Sequence, residues 1–168
     1  MKNDLPLRPV DDDMRALARR LLTTARFAAL AVVLPETGTP FVSRIAVGLE
    51  AGGLVALISQ LARHTGALRA SPTCSLLVGE PGAKGDPLSH PRLTLQCTAR
   101  FVGRDAPDFA ALRAERLARH PKAKLYVDFA DFSFVRFAPS EGFLNGGFGL
   151  AAQLAPADLA IDPPGAGA

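Results

Sequence analysis

The chain has 168 residues and a mass of 17.7 kDa, enough for one domain that buries roughly 70% of its unfolded surface without a metal or disulfide staple. With 48% hydrophobic and 21% charged residues, global disorder is excluded; no apolar run approaches the ~20 residues of a membrane helix, and the acidic N-terminus is wrong for a signal peptide, so a cytoplasmic protein is expected. The net charge of +3 is local: Pro107–Lys124 holds five bases (Arg113, Arg116, Arg119, Lys122, Lys124) against Asp108 and Glu115, and without interleaved aromatics this reads as a solvated helix face and not as a nucleic-acid surface.

After a loose start over residues 1–10, Asp11–Arg26 has the spacing of an amphipathic helix, with Met14, Leu17, Ala18, Leu21, Leu22 and Ala25 on one face and Asp11–Asp13 at its positive end. Phe27–Leu34 reads as a buried strand, turned by Pro35–Pro40 into a partner strand, Phe41–Leu49. Glu50–Gly53 is a second turn, and Leu54–Ser59 a third strand. Gln60–Ala70 is compatible with a helix and is closed by Ser71-Pro72; Thr73–Val78 is a strand. Gly79–Pro91, with three Gly and three Pro in thirteen residues, is a long loop. Arg92–Gly103 is a long strand, Pro107–His120 the basic helix, and Ser133–Ala138 and Gly142–Asn145 two closing strands. The Ala/Pro/Gly-rich tail from Pro156 is expected to fray. Tight turns in place of regular strand–helix alternation predict a mainly β (α+β) domain over residues 11–154, an antiparallel barrel with peripheral helices.

Cys74 and Cys97 lie in apolar strands, as small core residues do, and the three histidines have no metal-site spacing. The segment from Ser59 through Arg63-His64-Thr65 brings hydroxyls, backbone N–H groups and a guanidinium to a helix start, with no acid before Gly79. Those are the parts of a phosphate cradle. Arg44 interrupts an apolar strand and needs either an anion or an edge position from which it snorkels to water.

Pro40–Gly48, SQLARHTGAL from Ser59, SPTCSLLV from Ser71, RLTLQC from Arg92 and NGGFG from Asn145 together resemble the FMN-binding split β-barrel proteins. These are relatives of pyridoxamine 5′-phosphate oxidase, and the resemblance is greatest to the haem-utilisation (HugZ-type) branch. It covers roughly Ala16 to Leu154. It implies a homodimer with FMN at the subunit interface, the flavin phosphate held by Arg44, Arg63, His64 and Thr65 with Ser59 beside them, and Arg92 reaching toward the flavin ring. A guanidinium there would stabilise the negative charge of a reduced flavin. The implied function is that of a flavin-dependent oxidoreductase of unspecified substrate. The alternatives are a haem-binding or haem-degrading protein on the same fold, or a binding protein without turnover.

The chain departs from the resemblance in two ways. It has no tryptophan and no histidine after His120, so the Arg/His motif that serves the vitamin B6 substrate is missing and that activity is not expected. A haem ligand is also hard to find: His64 belongs to the phosphate turn, His90 lies in the long loop, and His120 reads as a cap on the helix dipole. Asn145–Gly149 lacks the strand–loop–helix frame of a dinucleotide loop. It reads either as a glycine-permitted turn or as a segment near the flavin, with Phe148 packing there.

Overall fold

The computed structural model describes residues 7–147 and 149–161. The placement expected for Phe148 lies outside the described residues, as do residues 162–168 of the tail. The elements are α1 (Asp12–Thr24), β1 (Phe27–Val33), β2 (Pro40–Glu50), β3 (Gly53–Ser59), α2 (Arg63–Ala70), β4 (Thr73–Val78), β5 (Arg92–Val102), α3 (Phe109–Arg119), β6 (Phe132–Asn145), β7 (Ala151–Leu154) and α4 (Pro156–Leu159).

Six strands close into an antiparallel barrel in the order β3-β2-β1-β4-β5-β6, with β6 returning to β3; β7 adds to the far edge of β6. Period-two alternation sets what fills it. Ala28, Leu30 and Val32 of β1, Leu76 and Val78 of β4, and Leu93, Leu95 and Cys97 of β5 all point inward and are buried. α1 closes one side with Met14, Ala18 and Leu22, spaced one turn apart, and begins where the Asp11 carboxylate accepts the Met14 N–H at 2.9 Å. A second apolar cluster lies outside the barrel, where Leu112 of α3 and Val127 pack on Val55, Leu57 and Phe134. β3 is therefore buried on both faces, which explains its unbroken run Leu54–Ile58.

The barrel is split at one end. β2 pairs with β3 only from Val47 to Glu50; before that it pairs with β1 alone, and the end of β3 pairs with β6 alone. α2 packs at this divergence, its Ala67 and Leu68 in the main core.

Three expectations change. The two closing strands are one strand, β6, continuous across Pro139: Pro139 faces Cys97 and Glu141 faces Gln96, leaving Ser140 as a bulge whose hydroxyl donates to the Gln96 carbonyl at 3.2 Å. The stretch from Pro156 does not fray at once: it forms α4, with Leu159 buried and Ile161 packed on the core. The basic helix α3 is not a solvated face throughout, because Arg116 is buried against Val55 and Glu50. Leu112 and Arg116 are four residues apart and share the inward side of the helix.

Candidate functional site

Of the residues expected to cradle a phosphate, Ser59, Arg63, His64 and Thr65 gather at the split, while Arg44 does not. At the end of β3, the Ser59 hydroxyl donates to Asp131 at 3.1 Å and accepts the Leu61 N–H at 3.1 Å. The buried Thr65 hydroxyl donates to the Ser59 carbonyl at 2.6 Å, tying the first turn of α2 to the strand it leaves. His64 Nδ1 lies 2.9 Å from the Ser43 hydroxyl on β2, so this pair spans the split. His64 Nε2 is buried with no hydrogen-bond partner, and burial lowers the pKa of the ring. Arg63 is exposed, its guanidinium 5.5 Å from the centre of the Phe41 ring. The N-cap of α2 is Ala62, which provides no side-chain acceptor, and no acidic residue occupies the first turn. The start of α2 thus presents N–H groups, a positive dipole end and a guanidinium, with no acid in its own first turn and the Asp131 carboxylate engaged by the Ser59 hydroxyl.

Arg44 and Arg92 lie elsewhere. Strand register places Ser43 on the inner face of β2 and Arg44 on the outer face, where its guanidinium sits 5.2 Å from the Phe27 ring centre. One row of cross-strand neighbours runs along this outer face from Arg44 through Ala29, Leu77 and Thr94 to Phe143. Arg92, two residues before Thr94, points to the same side and lines a recess of about 420 Å³ with Leu7, Thr94, Phe143, Leu144, Asn145 and Ala151. So Ser59, Arg63, His64 and Thr65 form one group at the split, while Arg44 and Arg92 share the outer wall. Neither Arg44 nor Arg63 forms an ion pair among the described residues.

The Arg92 guanidinium donates to the carbonyls of Leu88 (3.0 Å) and His90 (3.4 Å), anchoring the 79–91 loop beside the recess. His90 folds that loop: its Nδ1 accepts from the Gly82 N–H at 3.3 Å and its Nε2 donates to the Lys84 carbonyl at 2.9 Å. Both ring nitrogens are occupied, so His90 offers no lone pair to a metal in this conformation. Among the described residues no cluster of three or more His, Cys, Asp or Glu is arranged to hold a metal ion.

The glycine segment forms a turn. The Asn145 side chain accepts the Gly147 N–H at 3.1 Å, and Gly147 has φ +108° with a Cβ position only 2.6 Å from the Ser89 carbonyl oxygen. Only glycine lets this turn and the 79–91 loop approach so closely. His120 stands at the C-cap of α3, as expected, its backbone N–H donating to the Arg116 carbonyl at 2.8 Å, while burial and the neighbouring Arg116 and Arg26 lower the pKa of its ring. The cysteines are core residues, as expected. They face each other across β4 and β5 as free thiols, and burial pushes Cys74 up to about 12.

Sequence reasoning missed Glu50 and Arg116. Glu50 ends β2 fully buried, its carboxylate 3.2 Å from Arg116 Nε, while Arg116 Nη2 donates to the Val55 carbonyl at 2.9 Å. The signal was a lone acid directly after an apolar strand, which its position before a glycine turn disguised.

A six-stranded antiparallel barrel, split at one end where α2 packs, defines the class of split β-barrels. The chain belongs to the pyridoxamine 5′-phosphate oxidase family, whose model matches residues 14–146. It is 42% identical over 103 residues to the chloroplastic heme oxygenase HOZ of Arabidopsis thaliana, a match covering 61% of this chain and 30% of that protein. A heme binding protein from Mycobacterium smegmatis superposes with a TM-score of 0.80 at 29% identity, over 92% of this chain and 61% of the other. The protein Atu2129 of Agrobacterium tumefaciens, of unknown function, superposes with a TM-score of 0.77 at 32% identity, over 93% and 64%. The chain thus spans less than two thirds of the length of each of these relatives.

Proposed function

We propose that the protein binds FMN as a homodimer and acts as a flavin-dependent oxidoreductase. The observation that carries this reading is the start of α2: an uncapped helix terminus with no acid in its first turn, flanked by Arg63, and with the Asp131 carboxylate held by the Ser59 hydroxyl. A phosphate dianion is the ligand such a terminus suits, since helix dipole, backbone donors and guanidinium all favour it. The unpartnered His64 Nε2 is a further polar atom that a ligand could satisfy. Bound FMN would supply hydride or electron transfer. The chain's own part would be to hold the phosphate at α2, to lay the ring along the outer wall near Arg44, and to offset with Arg92 the negative charge that a reduced ring gathers.

A second reading, that the substrate or cargo is haem, is favoured by the relatives whose names carry haem, at 42% and 29% identity. With both His90 nitrogens engaged, the residues lining the recess suit the carboxylates of haem better than its iron. Arg92 and the nearby Arg8 are the groups that would meet them.

The test is titration with FMN, followed by flavin fluorescence, of the wild type and of Arg63→Ala and Arg44→Ala. Arg63→Ala is expected to cost about 1.5–3 kcal/mol of binding, the scale of a charge-assisted bond to phosphate, and Arg44→Ala, beside the ring, less. Unchanged affinity in Arg63→Ala rejects the phosphate site. Haem uptake, seen as a Soret band, by a protein that takes no FMN would replace the first reading with the second.

A further inference from the structure

We propose that the protein carries a second ligand site, for a small aromatic anion, at the opposite end of α2 from the phosphate cradle. A recess of about 420 Å³ opens where β5 ends, walled by Arg69, Phe101, Arg104, Phe109, Phe132 and Ser133. Two guanidiniums line it, and each lies over a ring. Arg69 lies 4.2 Å from the centre of Phe101, and Arg104 lies 5.7 Å from the centre of Phe109 while it donates to the Phe129 carbonyl. Neither arginine forms an ion pair among the described residues. Of the acids around it, Asp131 accepts from Ser59, Asp108 is paired with Arg136 and Asp128 with Arg113, while the Asp105 carboxylate lies against Gly103 of the lining.

A guanidinium already stacked on an aromatic ring presents its other face and its N–H edge to a ligand. It is ordered in advance, so less side-chain entropy is lost on binding. Ser133 adds a hydroxyl whose oxygen already accepts from Gln60 Nε2 at 3.3 Å, which leaves the hydroxyl proton to donate. Two forked cations, one hydroxyl donor and a lining of phenylalanine rings match a planar ring bearing a carboxylate or phosphate. The flavin cradle is a separate place. Arg69 is six residues beyond Arg63, about 9 Å along the helix and on a different side of it.

The composition supplies the probe. Tyr126 is the single tyrosine of a chain without tryptophan, and its ring lies 4.8 Å from that of Phe132 in the wall of the recess. Ring-labelled tyrosine therefore reports occupancy by NMR without interference from other aromatic residues. Titration with phenyl phosphate should shift the Tyr126 signals saturably, whether or not FMN is present. Inorganic phosphate and benzyl alcohol should each bind at least tenfold more weakly, since each lacks half of what the site recognises. Arg69→Ala, a change to an exposed side chain with no hydrogen bond to lose, should weaken phenyl phosphate roughly tenfold, and Arg104→Ala likewise, while Arg19→Ala on α1 should have no effect. The proposal is overturned if no saturable shift occurs, if inorganic phosphate binds as well as phenyl phosphate, if FMN displaces the probe, or if affinity survives loss of both arginines.

Discussion

Glu50 and Arg116 are the residues at which burial and charge collide. Both are almost wholly removed from water, and one carboxylate–guanidinium contact at 3.2 Å does not satisfy them: both Glu50 oxygens and Arg116 Nε and Nη1 are left without hydrogen-bond partners. Desolvation outweighs the attraction of Arg116 and Arg119 and pushes Glu50 up to about 7. A folded-state pKa raised from 4.5 means that the folded protein holds a proton the unfolded chain releases. The stability Glu50 contributes is therefore fully present below about 4.5 and lost as pH rises through about 7. His64 and His120, lowered by burial, act in the opposite sense as pH falls, so the effect is best read by difference. In urea denaturation from pH 4.5 to 8, Glu50→Gln should flatten the decline seen in the wild type, and equal slopes in the two proteins would reject the assignment. Arg116→Ala, by contrast, strips the partner from a buried carboxylate and should cost about 3 kcal/mol or more at pH 8. This pair was illegible in the sequence because its members are 66 positions apart and each has a plausible solvent-facing role: Arg116 on a basic helix, Glu50 beside a turn. The Ser59–Thr65 cluster was legible because its parts are adjacent in the chain, and local chemistry reads out locally.

Elements show the same division between local and long-range information. The alternation of β5 and the spacing of α1 fix those elements from sequence, since each needs only its own residues to declare a period. β6 broke the rule because Pro139 reads as an end, and only the partner strand reveals that Ser140 bulges and pairing resumes. The β2–β3 turn hides a comparable dependence: Ala51 takes φ +45° and Gly52 φ +75°, a two-residue reversal that places a non-glycine in the left-handed region. Side chains from other elements fasten it, as Glu115 accepts the Ala51 N–H at 2.7 Å and Arg136 donates to the Ala51 carbonyl at 3.3 Å. The 79–91 loop is held in the same way, by His90 from within, by Arg92 at its exit and by contact with Gly147. Gly147→Ala would add a side chain to a positive-φ residue and drive it into the Ser89 carbonyl, costing about 1–3 kcal/mol. The loss should appear as faster amide exchange and proteolysis within residues 79–91, with the barrel strands little changed. Uniform loosening of the whole barrel would show that the turn is part of the core and not a loop clasp.

At the scale of the molecule, the two walls of the barrel are treated differently. α3 covers the outer faces of β3 and β6, but among the described residues no helix covers those of β1 and β4. Val33, Val42 and Leu77 are left 53, 62 and 42% exposed, and the row from Arg44 to Phe143 extends across four strand spacings, about 19 Å. The sequence of β1, Phe-Ala-Ala-Leu-Ala-Val-Val, is apolar at every position, the pattern of a strand buried on both sides. One chain buries only one of those sides. In the proposed homodimer a second copy would cover the residues that remain exposed, with this face placed against its own image about a two-fold axis. If FMN lies along this wall beside Arg44, dimerisation and flavin binding are coupled. Sedimentation should then give twice 17.7 kDa for the wild type at micromolar concentration. Val42→Glu combined with Leu77→Glu should give folded monomers whose FMN affinity falls at least tenfold, although neither position touches the α2 cradle. A wild type that sediments as a monomer, or a charged variant that still pairs, would mean that this wall faces something other than a second copy.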